Sequence, residues 1–545
     1  MTTYLVFLLS LSALLALTTA QGRFSLSNQD AAFWNNQAQT TLRNALNRGQ
    51  NQGIAKNVIF FLGDGMDITS TTAARIFRGQ LNGETGEEGS LAWDDFPHVA
   101  LSKTYNTDQQ VADSAGTATA FLCGVKAKAG TLGIDDGAER GSCASVAGSE
   151  VESVLVQANR AGKATGLIST ARITHATPAA AYAHSPERYW EVDAWMPEEE
   201  ADDGCIDIAR QLVEENNFIN VILGGGRRHF LPNTTLDPEY AAENATGYRT
   251  DGRNLVDQWL SDKFLFSSEY VWNKTALEQV DLSSTEFLLG LFEPSHMQYE
   301  ADRLNDTGGE PSIAEMTELA INMLSNDEDG YFLMVESGRI DHAHHDSVAY
   351  KALTDTIAFH EAVARAVEMT DSADTLIVVT ADHGHSFVMG GYPSRGNPIF
   401  GYDDSGNGTD DKPFLTLSYA NGPGGIRLAD SYINTGERPN HYNSEYNSKD
   451  FIQDAAVPLY YETHGGADVA IYAHGPWAHL YHGTQEQNYI PHVIRYAACY
   501  GDSQENACTR ATEEPPMCTG SADHTALASC ASLILPLVSF ITLMF

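Results

Sequence analysis

Five short apolar runs, rich in β-branched residues, punctuate this chain, and polar chemistry stands beside each of them. Val58 to Leu62 leads to Gly63-Asp64-Gly65, and Ala164 to Ser169 leads to the segment Thr170 to His175. Tyr331 to Val335 runs into Glu336, Leu376 to Thr380 runs toward Asp382-His383, and Val469 to Ala473 follows His464. Helical patterns lie between them, notably Ser114 to Leu122 and Tyr350 to Thr370. Continuous apolar runs of this length suit strands buried on both faces. Their alternation with helices predicts an α/β fold, a large, mostly parallel central sheet with helices on both faces. Such sheets bind ligands outside the carboxyl ends of their strands. Four of the five runs place a carboxylate or a histidine at that edge. Any one would be unremarkable, and the convergence carries the inference. Residues 391–463 are instead rich in Gly, Asn, Pro, Ser and Tyr, with no helical pattern of any length, which predicts a small surface insertion.

Charge narrows the function. Among 545 residues, 72 are acidic and 32 basic, a net charge of −40. That balance excludes nucleic-acid binding, which depends on Lys and Arg neutralising phosphates. An anionic substrate would need local positive charge, such as metal ions.

Both ends carry processing signals. Leu5 to Leu17 is an apolar core followed by small residues up to Ala20, which reads as a signal peptide over residues 1–20. Leu533 to Phe545 is apolar but shorter than the roughly 20 residues a spanning helix needs. Small residues at Gly520-Ser521-Ala522 and a spacer precede it. This order signals a GPI anchor on Gly520 or Ser521, with 521–545 removed and residues 21–520 left as the mature domain. Sequons at Asn233, Asn244, Asn273, Asn305 and Asn407 fit the same secretory route to the outer cell surface. Cys499 and Cys508 close a short loop, Cys143 and Cys205 are candidate partners, and Cys123 sits in an apolar run as a buried thiol.

Two clusters have the donor types of metal sites. In Asp341-His342-Ala343-His344-His345, a helix would place Asp341 and His345 on one face at i and i+4, spaced to grip one ion. Asp382-His383-Gly384-His385 follows a strong strand, and His464 could complete either site. Asp64 follows another strand at the same edge. Asp113-Ser114-Ala115-Gly116 opens a helix, where Ser114 would meet free N–H groups and the positive dipole end, a setting that favours phosphate. The other reading of this stretch is that Asp113 or Ser114 merely caps the helix.

The stretches DSAGTATA, ESGRIDHAHH, TADHGH and ETHGGADVA, in this order, resemble the alkaline phosphatases, above all the animal membrane-anchored form. The resemblance spans nearly all of the mature chain. It implies hydrolysis of small phosphate monoesters through a phosphorylated Ser114, with Arg188 clamping phosphate. It implies one zinc on Asp341, His345 and His464, a second on Asp64, Asp382 and His383, and magnesium on Asp64, Thr177 and Glu336. His175 and His342 match positions near these metals. A structural calcium would take Glu239, the backbone of Phe292, Glu293 and Glu310, the last standing for the family's Asp beside a small insertion. Residues 391–463 resemble the family's crown, and Tyr392 matches a position at a homodimer interface. One departure stands out: the family reads Asp-Gly-Met-Gly where this chain has Asp64-Gly65-Met66-Asp67. Asp67 either caps the following helix or adds a carboxylate that weakens phosphate binding; we expect the cap.

Overall fold

The computed structural model describes residues 29–440, 445–501 and 507–508. The expected leader at 1–20 and anchor signal at 521–545, with Gly520 and Ser521, lie outside the described residues. All five apolar runs are strands. In chain order the strands are β1 (Asn57–Gly63), β2 (His98–Lys103), β3 (Ala164–Arg172), β4 (Val221–Gly225), β5 (Ser268–Val271), β6 (Phe287–Leu291), β7 (Tyr331–Ser337) and β8 (Thr375–Ala381). There follow β9 (Gly384–His385), β10 (Phe387–Met389), β11 (Leu417–Gly422), β12 (Ala455–Pro458), β13 (His464–Gly465), β14 (Val469–His474) and β15 (Gly483–Glu486).

Ten strands make one sheet in the order β15-β2-β14-β8-β1-β7-β3-β4-β6-β5. β1 pairs in parallel with both β7 and β8, and β14 alone in this sheet runs against its neighbours. Alternate residues of the central strands face opposite ways. Phe60, Leu62, Phe332, Met334 and Val378 pack into one apolar core. Ile59, Phe61, Leu333, Val335 and Val379 pack into the other, on the opposite face.

The strand order positions the site. In the register of β1, Gly63 lies beside Ser337 of β7 and Ala381 of β8. Asp64, Glu336 and Asp382 therefore emerge side by side. Because β14 is reversed, its start lies on that edge, and His464 arrives there just before it.

Two helical expectations change on inspection. The Ser114–Leu122 pattern is an α-helix, Ser114–Ala118, that widens into a π-turn at Thr119–Cys123. The insertion does contain a helix, Pro423–Thr435, contrary to expectation. Pro423 sits in its first turn, where the missing N–H costs nothing, and Gly436 ends it in the left-handed region at φ 75°. Gly424 and Gly425 hide it, since glycine is a poor helix former. Here it is needed: a Cβ on Gly424 would lie 1.8 Å from the carbonyl oxygen of Gln453. β10, β11 and β12 form a separate three-stranded sheet beside it.

Cys143–Cys205 and Cys499–Cys508 are disulfides, and Cys123 is a buried free thiol. Among the described residues, no helix is long and apolar enough to cross a membrane.

Candidate catalytic and metal centre

Asp113, not Ser114, caps the helix Ser114–Ala118, accepting from the amide of Gly116 at 3.1 Å. The Ser114 hydroxyl is thereby free of capping and lies 3.2 Å from His383 Nε2. The other Asp113 oxygen accepts from Gly130 N and from Arg188 Nη1, both at 2.9 Å. Burial opposes this carboxylate, but Arg188 and the amides outweigh it and hold its pKa below the usual range. Arg188 Nη2 lies 3.3 Å from His175 Nε2, so the guanidinium is fixed from two sides next to Ser114.

Asp341, His345, His385 and His464 bring ligand atoms within 4.8 Å of one another. The helix Arg339–His345 supplies the first two, as the i, i+4 spacing predicted. The hydrogen bonds assign the tautomers. His345 Nδ1 donates to the Glu462 carbonyl at 2.5 Å, and His464 Nδ1 to the Ala112 carbonyl at 2.6 Å. Both Nε2 atoms are then acceptors, yet they face each other at 3.0 Å. Two lone pairs so placed call for a cation between them, and imidazoles held through Nδ1 are how proteins orient metal ligands. Burial drives the His345 pKa down to about 3, in keeping with a neutral ring.

His385 differs. Its Nδ1 lies 2.6 Å from Glu462 Oε2 and its Nε2 2.8 Å from Asp341 Oδ1. Burial opposes its charge, but these two carboxylates raise its pKa to about 10. It is an imidazolium that orients Asp341. Neither this role nor Glu462 was singled out from the sequence, although both residues fall inside the quoted motifs. Gly65, at φ 70°, lets the chain pass: a Cβ there would be 2.4 Å from His385 Nε2.

Asp64, Asp382 and His383 form the second cluster, with His383 Nε2 3.0 Å from Asp382 Oδ2 and 3.6 Å from Asp64 Oδ1. Asp64, His175 and Glu336 form a third. Thr177 lies in the short helix Ala176–Ala179 after β3, with its hydroxyl buried.

The donor set fits bound cations. Both oxygens of Asp64, Asp382 Oδ2, Glu336 Oε1 and Thr177 Oγ1 are buried without a hydrogen-bond partner. Leaving such groups unpaired is expensive unless something charged completes them. Burial first, then the neighbouring carboxylates, pushes the Asp64 pKa well above the usual range, and burial pushes Glu336 up to about 8.

His175 and His342 lie together, ring centroids 5.3 Å apart, and His296 joins them 4.0 Å from His342. His296 was not foreseen; it has no motif of its own.

Asp67 caps the helix Ile68–Leu81 as expected, accepting from Ser70 N at 2.7 Å and from the Ser70 hydroxyl at 2.9 Å.

Beyond β4 and β6, Glu239, Glu293 and Asp306 bring carboxylate oxygens within 4.8 Å of one another. Asp306 takes a place the sequence reading gave to Glu310. The Gly308-Gly309 turn folds back here, Gly308 N donating to Glu239 and Gly309 N to Asp306. Glu310 lies outside that group; one oxygen accepts from Gln298 N and the other is buried and unpaired. Phe292 directly precedes Glu293, just past the end of β6.

Fold and site together define an enzyme on a mostly parallel α/β sheet, with candidate metal-ligand clusters around a helix-start serine. The chain belongs to the alkaline phosphatase family, whose profile matches residues 55–500. It is 49% identical over 521 residues to the tissue-nonspecific alkaline phosphatase of Rattus norvegicus, covering 94% of each chain. It is 50% identical over 476 residues to that of Homo sapiens, covering 87% of this chain and 89% of the other. An alkaline phosphatase of Gadus morhua matches at 48% over 483 residues, 88% of this chain and all of the other. The fold matches the alkaline phosphatase of Thermus thermophilus with TM-score 0.58 at 22% identity, covering 86% and 98%. It matches that of the Antarctic bacterium TAB5 with TM-score 0.55 at 21% identity, covering 83% and 99%. The chain is a phosphate monoester hydrolase, and its family works with metal ions.

Proposed function

We propose that Ser114 attacks the phosphorus of a monoester, breaking its bond to the ester oxygen, so that the alcohol leaves and Ser114 is phosphorylated. Water then cleaves the phosphoserine and releases inorganic phosphate, regenerating the hydroxyl. One observation carries this: unpaired buried acceptors converge around a serine whose capping duty has passed to Asp113. Asp341, His345 and His464 would hold one zinc, Asp64, Asp382 and His383 a second, and Asp64, Thr177 and Glu336 a magnesium. When bound, these ions supply the positive charge that acidifies a hydroxyl and neutralises a leaving oxygen. The rest falls to the chain. Asp113 holds the start of the helix and Arg188 in one hydrogen-bonded unit. Arg188 keeps donors free for two phosphate oxygens at once, as a planar guanidinium can. The first N–H groups of the helix face the developing charge. His385 fixes the Asp341 carboxylate through the charge it shares with Glu462.

The acidic cluster would hold calcium through Glu239, Glu293, the Phe292 carbonyl and Asp306, with Glu310 beside it. The mature chain, residues 21–520, would sit on the outer cell surface through a GPI anchor at Gly520 or Ser521. It would pair as a homodimer through the insertion at 391–463, where the Tyr392 side chain is 90% exposed.

Exhaustive dialysis against a chelator should abolish p-nitrophenyl phosphate turnover, and zinc with magnesium should restore it. Undiminished turnover by metal-free protein would overturn the metal assignment. Release of activity from intact cells by a phosphatidylinositol-specific phospholipase tests the anchor.

A further inference from the structure

The turn Phe264-Leu265-Phe266 exposes three large apolar side chains in a row, at 77%, 77% and 49%. It is not a loose loop. Lys263 beneath it is buried, donates to the Asn217 carbonyl and lies 3.3 Å over the Phe287 ring. Phe266 N closes the turn on Lys263 O at 2.8 Å, and the Phe266 ring packs edge-on against Phe287 at 5.3 Å. A rigid turn that holds apolar side chains in water needs a reason, since such a cluster is a standing cost unless something covers it.

Position supplies the reason. The turn sits directly before β5, the outermost strand, so it lies at the amino-terminal edge of the parallel sheet, opposite the catalytic edge. The carboxyl end of the described chain is on that same edge. Ala55, just before β1, donates to Ala497 O at the end of the helix Tyr489–Ala498, and the Cys499–Cys508 disulfide follows. Five strand spacings separate β1 from β5 in the sheet order, which is roughly 24 Å. The chain from Cys508 to Gly520 can span roughly 40 Å. A lipid anchor there would bring this edge, and with it the turn, to the bilayer while the catalytic edge faces water.

We propose that Phe264, Leu265 and Phe266 form a membrane-contact wedge that seats the protein on a zwitterionic lipid surface. Charge complementarity favours that surface over an anionic one, because the chain carries a net charge of −40. Phenylalanine and leucine on a fixed turn partition well into the boundary between headgroups and acyl chains. The orientation rests on the anchored reading above; the wedge itself can be tested apart from it.

The full chain in a Cys518→Ser, Cys530→Ser background, carrying Leu265→Cys with an environment-sensitive dye, is reconstituted into phosphatidylcholine vesicles. Cys123 is buried and should not compete for the label. Dye emission should shift to the blue and be quenched by lipids spin-labelled near the headgroup. A dye on Asp430→Cys, in the exposed part of Pro423–Thr435, should show neither. Phe264→Ser with Leu265→Ser should lower partition of phospholipase-released protein onto the same vesicles about 10-fold, with monoester turnover unchanged. A water-exposed dye at position 265 on anchored protein, or equal partition by the double variant, would overturn the wedge while leaving the anchor standing. If the phospholipase releases nothing, the anchor fails instead, and partition of the full chain and its double variant still decides the wedge.

Discussion

Two clusters of carboxylates stand on the same edge of one sheet and differ in what surrounds them. Asp64, Glu336, Asp341 and Asp382 gather where β1, β7 and β8 end, among imidazoles and unpaired acceptors. Glu239, Glu293 and Asp306, with Glu310 beside them, gather beyond β4 and β6, where the buried Arg227 already pairs with Glu239 at 3.0 Å. Both arrays crowd negative charge that a cation would offset. Only the first has a serine at a helix start and an arginine held beside it by Asp113. On the proposed reading, what separates the two is the hydroxyl and the guanidinium held beside the first, which a phosphoryl-transfer site needs and a purely structural cation site does not.

The sharpest way to break this contrast is Ser114→Ala. Turnover of p-nitrophenyl phosphate should fall on the order of 10³-fold or more. Bound metal and thermal stability should stay unchanged, because Asp113 still caps the helix. Retention of a tenth of the activity would show that another group is the nucleophile.

Arg188→Lys should be next in size. A lysine keeps the charge but loses the planar fork, so kcat/KM should fall roughly 10²-fold. Inhibition by inorganic phosphate should weaken in parallel. If catalysis falls and phosphate affinity does not, Arg188 orients Asp113 more than it holds the substrate.

The fold was legible because each central strand is apolar on both faces, and such runs announce themselves one at a time. The i, i+4 pair Asp341 and His345 was legible for the same reason: helical spacing is local. What escaped depends on convergence across long separations. Glu462 reaches His385 from 77 residues away. His296 packs against His342 with the rings tilted 55°, although the two are 46 residues apart in the chain. Asp306 enters its cluster only because a Gly-Gly turn folds back. The helix Pro423–Thr435 escaped because its two glycines serve packing at the expense of propensity.

The second cluster should respond through stability and not through chemistry. A cation at 100 times its Kd adds about 2.7 kcal/mol, so selective removal of calcium should lower Tm on the order of 5 °C. Turnover below that temperature should change little. Burial, joined by the repulsion of nearby carboxylates, lifts Glu293 to about 7 and Glu310 to about 9. A folded pKa raised above the ordinary value of about 4.3 gives stability that is complete at low pH and lost as pH rises. The calcium-free protein should therefore lose stability from about pH 4.3, the ordinary glutamate value, up to the folded values of about 7 for Glu293 and about 9 for Glu310, most steeply while both groups contribute, and calcium should remove that slope. Asp306→Asn should weaken calcium binding more than Glu310→Gln does. The reverse order would return the ligand role to Glu310.

The smallest effect tests the boundary of the first cluster. Asp67 stands three residues from Asp64, yet its carboxylate turns to Ser70 N and the Ser70 hydroxyl, with His385 N at 3.4 Å. The Ser70 hydroxyl in turn lies 2.9 Å from His344 Nε2, and His344 Nδ1 lies 2.8 Å from the Tyr419 hydroxyl, so Asp67 belongs to a chain of polar contacts that runs to Tyr419 on β11. Burial raises its pKa, and the Ser70 bonds only partly offset this, so it is a desolvated cap and not a solvated charge. Gly at an exposed cap would cost a few tenths of a kcal/mol. Here the substitution also leaves a buried space against Gly384 and strips Ser70 N of its acceptor. The expected cost of Asp67→Gly is therefore about 1 kcal/mol, read from denaturant melts. The phosphate inhibition constant should stay within about twofold of wild type, because a cap spends its charge on the helix it starts. A several-fold fall in that constant, relaxed by added salt and without loss of stability, would make Asp67 part of the phosphate site.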